Sequence, residues 1–185
     1  LLLADGAGGI DFGDVSDELL RRDATLPFGF GVDETQFVNA VLNALDQADV
    51  VVADPGEVDR ATDYQGQQVP EVASGALTDA LARTDRIIGD IADKLPAGTR
   101  LIITGASPAR GGKLVPLVVV GDGLAPRITS PSTGRHDLVT ITDIAPTVLD
   151  ALGVDVPDQM IGQPIQFEAG RPDRGDLQRQ EDLIK

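Results

Sequence analysis

The sequence predicts an α/β fold in which a mostly parallel sheet is flanked by helices, and three observations carry that expectation. Two amphipathic helical stretches each lead to a short apolar run with strand character, a further helix start follows late in the chain, and glycine and proline punctuate the joins. Strands that alternate with helices in this way are expected to lie parallel, because parallel neighbours need crossover connections. The 185 residues fit one domain or most of one, and an apolar content of 42% is enough to fill a sizeable core.

From Leu1 to Gly31 the chain is glycine-rich and acidic, with Asp5-Gly6 and Gly8-Gly9 as turn signals, so only short strands or loops are expected there. From Glu34 onward Phe37, Val38, Val41, Leu42 and Leu45 recur at helical spacing, and Asp33 is placed to cap that helix. Val50-Val51-Val52-Ala53 then reads as a short strand buried on both faces of a sheet. After a loop with Pro55 and Gly56, a long helix is expected from about Pro70 to Leu95, with Ala73, Leu77, Leu81, Thr84, Ile88, Ile91 and Leu95 along one side. Pro96 and Gly98 stop it, and Leu101-Ile102-Ile103-Thr104 is the next strand.

Gly105 to Gly112 holds three glycines and a proline and reads as a loop at a strand end. Leu114 to Val120 is another apolar run, which Pro116 marks as an edge or interrupted strand. Leu138 to Ile141 is read as a last short strand, and Asp143 with Pro146 starts a helix that runs through Leu152 and ends at Gly153.

Composition narrows the function classes. With 30 acidic against 15 basic side chains the net charge is -15, which repels both a nucleic acid backbone and an anionic lipid surface. An aromatic content of 3% without tryptophan argues against a stacking platform for bases or sugars. The lack of cysteine removes disulfides, Cys-ligated zinc and iron–sulfur clusters together. No run of about 18 apolar residues occurs, so a membrane is expected to be reached only through segments outside this chain.

Three stretches together resemble the alkaline phosphatase superfamily, which includes sulfatases and phosphodiesterases. The most specific is Thr142-Asp143-Ile144-Ala145-Pro146-Thr147, followed by Leu152-Gly153-Val154 and Gly162-Gln163-Pro164. Similar segments occur in that order in the family, where the Asp caps a helix. The second is Val50 to Gly66, where the resemblance implies a strand leading to an Asp and a His that bind one metal; Asp59 matches the Asp, and Asp63 stands where the His belongs. The third is Leu101 to Pro108, where the family's strand ends in Asp-His-Gly and this chain has Gly105-Ala106-Ser107. The family's nucleophile and first metal Asp belong to an earlier strand absent here, so no catalytic residue is assigned.

A dimetal phosphohydrolase needs about six nitrogen and oxygen ligands to polarise the phosphoryl group. Asp59 and Asp63, four apart, offer a site for one hard ion such as Mg²⁺ or Ca²⁺, or else are solvated loop carboxylates or a local turn cap. The loop with Ser107, Arg110, Gly111, Gly112 and Lys113 offers backbone N–H groups and two cations to an anion, or is an ordinary loop without the ending of a Walker motif. His136, the one histidine, is either a loop brace between Arg135 and Asp137 or a ligand or acid-base group. Asp54, Glu57, Asp59 and Asp63 crowd a strand end, where mutual repulsion is expected to raise a pKa.

The expected organisation is therefore the later part of a phosphatase-like domain over residues 1–167 and a polar tail or linker over 168–185. The opening at Leu1 without methionine and the polar last stretch suggest a piece of a longer polypeptide. The resemblance implies a noncatalytic binding or scaffolding module of a bacterial membrane protein, on its extracytoplasmic side, with a protein or cell-envelope partner and no cofactor. The alternatives are a cytoplasmic location, a hydrolase of phosphate, phosphodiester or sulfate esters, holding one or two divalent ions (Zn, Mn, Mg or Ca) with its nucleophile outside this piece, and an unrelated α/β ligand-binding module, which a sheet order different from the superfamily's would favour.

Overall fold

The computed structural model describes residues 13, 17–66, 70–105, 114–171, 175, 178 and 179. Its contacts divide the chain into two compact units, Leu1–Leu95 and Pro96–Lys185, with the break where Pro96 and Gly98 stop the long helix.

The first unit opens with a hairpin of β1 (Leu20–Arg22) and β2 (Phe30–Val32), paired antiparallel with Leu20 opposite Val32. Helix α1 (Glu34–Leu45) follows directly, because the Asp33 carboxylate accepts the Gln36 N–H at 2.9 Å and fixes the first turn. A short helix α2 (Glu57–Gln65) starts after Gly56, whose φ of +64° suits glycine and whose Cβ position lies 2.7 Å from the Arg60 guanidinium. Helix α3 (Pro70–Ala92) packs against both α1 and α2. Val32, Phe37, Val38, Ile87 and Ile91 form the core, with Leu19, Val41, Leu42 and Leu95 against it. Burying each of these larger side chains contributes roughly 1.5–3 kcal/mol.

The second unit holds a two-stranded ladder of β3 (Leu101–Thr104) and β4 (Leu117–Val120), with Leu101 opposite Val120. It also holds a three-stranded sheet in which β5 (Arg127–Ser130) lies between β6 (Arg135–His136) and β7 (Gln166–Glu168). Helix α4 (Ile144–Ala151) follows a single 3-10 turn at Ile141–Asp143. The fold is thus mixed α/β, with helices and several small sheets.

The mostly parallel sheet expected from the sequence is not formed: every strand pair among the described residues is antiparallel. Hydrophobic period does not encode strand direction, and β3 and β4 pair as neighbours across the stretch at residues 105–116. The expected strand at Val50–Ala53 joins no ladder, and Val50 and Val52 are 41% and 49% exposed. The expected strand at Leu138–Ile141 is also replaced. Thr140 and Asp143 form a capping box there, which gives the backbone local side-chain partners in place of a ladder.

Candidate functional site

The residues with the most developed polar environment are two buried carboxylates, one in each unit. Glu57 stands in the first turn of α2 with only 3% of its surface exposed. Its carboxylate accepts the Val32 N–H at 2.7 Å, the Arg60 guanidinium at 2.6 Å and the Arg83 Nε–H at 2.8 Å. One side chain thereby joins β2, α2 and α3. Gly31 makes room for it, since a Cβ there would stand 2.6 Å from Leu26 Cδ1 and 3.0 Å from Glu57 Oε1. Burial alone would raise the Glu57 pKa, but these donors outweigh it and hold the group below the ordinary carboxylate value. The rise expected from crowding among Asp54, Glu57, Asp59 and Asp63 therefore does not occur at Glu57. Its nearest charges are two arginines. Asp54 turns instead to the Gly56 N–H at 2.8 Å, a local turn contact.

Asp143 is fully buried. One oxygen accepts the Ser132 hydroxyl at 2.6 Å and the Gln163 N–H at 2.9 Å, and the other accepts the Thr140 N–H at 2.8 Å. Desolvation works against the charge, but these donors lower its pKa to about 2. Thr147, one turn along α4, donates to the Asp143 carbonyl at 2.6 Å and accepts the Ile165 N–H at 2.8 Å. The segment at Gln163–Ile165 is thus tied to the start of α4 by both residues. Gly162, at φ +101°, is pressed so close that a Cβ would stand 2.3 Å from the Thr142 carbonyl oxygen. The helix-start motif therefore works through an Asp that reaches back to Thr140 and across to Gln163.

Asp59 and Asp63 lie one turn apart on α2 and are both exposed. Among the described residues no three His, Cys, Asp or Glu side chains gather in a metal-holding group. His136 lies on β6 opposite Thr129, half exposed, with Nδ1 2.6 Å from Glu168 Oε1 on β7. Arg127 of β5 extends the cluster, its Nε 3.4 Å from Asp137 and 3.8 Å from Glu168. This arrangement braces the outer strands of the sheet across β5. Ser107, Arg110, Gly111, Gly112 and Lys113 lie outside the described residues.

Sequence reasoning missed the roles of Glu57, Arg60 and Arg83, and of Glu168 and Arg127. The available signal for the first group was an acid directly after Pro55-Gly56 and an arginine three residues on, the spacing of an ion pair on a helix. No family model, curated protein or solved structure matches the chain.

Proposed function

We propose that the chain is a noncatalytic binding or scaffolding module, the later part of a phosphatase-like domain within a longer, membrane-anchored bacterial protein and facing the extracytoplasmic side. The observation that carries the reading is how the carboxylates are used. Glu57 and Asp143, the buried ones, are occupied by donors of the protein itself, whereas Asp59 and Asp63, at the positions of the metal loop, point to solvent. A metal centre needs the reverse, with buried acceptors converging on a shared point and left open to the ion.

The apolar strands support the binding half of the reading. None of the eight residues of β3 and β4 is buried, and Val118 and Val120 are 49% and 51% exposed. A two-stranded ladder is marginal in water by itself, so faces of this kind fit a sheet completed by further polypeptide. The loss of ligand types at both metal loops points the same way. Metal analysis of the intact polypeptide, combined with assay on an aryl phosphate and a phosphodiester, tests the proposal. The expected result is turnover at background and no stoichiometric metal; zinc or manganese at one or two per chain with turnover overturns it.

A further inference from the structure

Asp122 and Gly123 form the exposed turn that leaves β4, and this is the one Asp-Gly pair among the described residues. Three features of the turn bear on its chemistry. Among the described residues the Asp122 carboxylate enters no hydrogen bond or ion pair, and the Gly123 N–H is held by no carbonyl. Gly123 has φ +72°, and nothing lies within 4 Å of where its side chain would begin. Four other aspartates at turns or helix starts are engaged, Asp23 by Thr25, Asp33 by Gln36, Asp54 by Gly56 and Asp143 by three donors, whereas Asp122 shares the open state of Asp59 and Asp63 but precedes a glycine.

We infer that Asp122–Gly123 is a site of spontaneous isoaspartate formation. The Gly123 amide nitrogen attacks Cγ of Asp122. The N–Cγ bond forms, and the carboxyl hydroxyl leaves with the amide proton as one water, closing a five-membered succinimide. One water then adds back. Opening at the backbone carbonyl breaks its bond to nitrogen and leaves the chain running through the former side-chain carbonyl, with no net change in composition. No oxidant, cofactor or partner is needed, and glycine is the residue that hinders the attack least. The product carries one extra methylene in the backbone just after Val120, the ladder partner of Leu101.

The test ages the folded full chain at neutral pH and physiological temperature and then digests it with trypsin. The peptide from Leu114 to Arg127 contains Asp122 as its single acid. Methyl transfer from S-adenosylmethionine by an isoaspartyl methyltransferase reads the product, at unchanged peptide mass. The expected result is methyl acceptance in this peptide that grows with time, falls roughly tenfold in Gly123→Ala because a Cβ hinders the attack, and is absent in Asp122→Glu. The proposal is overturned if the folded chain stays unmodified while the synthetic peptide converts, or if Asp122→Glu accepts methyl groups equally.

Discussion

Replacing Asp143 by Asn tests the buried carboxylate in a way that gives both a magnitude and a sign. The side chain is isosteric, so the cavity is unchanged, but the charge that accepts from Ser132, Thr140 and Gln163 is lost. In the folded chain Asp143 sits at about 2 against an ordinary 3.8. At about 1.4 kcal/mol per pH unit, that difference contributes roughly 2.5 kcal/mol to folding. The folded pKa is depressed, so the contribution is complete above about pH 4 and disappears as the pH falls towards 2. Urea unfolding followed by circular dichroism, at pH 7 and near pH 2.5, is the assay. Asp143→Asn is expected to be less stable by roughly 2–3 kcal/mol at pH 7, with most of that gap gone at the lower pH. A gap of the same size at both pH values would refute the electrostatic reasoning and leave only a packing effect.

Glu57→Gln leaves Arg60 and Arg83 facing a neutral group inside the first unit, and a broken buried ion pair costs roughly 3–5 kcal/mol. A loss below about 1 kcal/mol in the same urea experiment would show that water solvates this site. Because the Glu57 pKa is also held below its ordinary value, that loss too is expected to shrink on acidification. Gly162→Ala puts a Cβ against the Thr142 carbonyl at a φ of +101°, and a cost of roughly 3 kcal/mol or more is expected. Hydrogen exchange at Gln163 and Ile165 should accelerate in this variant, and unchanged protection would contradict the close approach. His136→Asn removes a pair exposed on both sides, so its stability change is expected to stay within about 1 kcal/mol.

The helices were the most legible part of the fold. Apolar residues at three- and four-residue spacing marked α1 and α3, Asp33 marked the start of α1, and Pro146 with Gly153 bracketed α4. The side expected to be buried on α3 was partly misplaced, since Leu81 is 52% exposed, and Ala80 and Ile87 are buried together with the expected Ile91. Helix α2 was not legible, because Glu57–Gln65 has no apolar stripe and buries only Glu57 and Ala61. Strand direction was not legible either: an apolar run records burial, while its pairing depends on distant partners. Strands β5, β6 and β7 are two to four residues long, too short for an alternation to register.

The same limit applies to the site. Asp143 stood out because its motif is local, yet one of its partners is 20 residues away at Gln163. Glu57 was read as one more acid in a crowd, since the groups that define it, Val32 and Arg83, are 25 and 26 residues distant. The two arginines that the fold brings to it replace the expected repulsion with attraction. Asp59 and Asp63 were found at the expected spacing, but α2 presents them to solvent.

The buried carboxylates Glu57 and Asp143 hold the fold together through donors of the protein itself, and among the described residues no three His, Cys, Asp or Glu side chains gather around a shared point. Thermal unfolding with increasing zinc or manganese tests this most directly, because an ion that binds only the folded chain stabilises it by about 2.7 kcal/mol at a hundred times its dissociation constant. The same transition is expected with and without metal, in the wild type and in an Asp59→Asn/Asp63→Asn double variant. A saturable rise in the wild type that the double variant loses would contradict it.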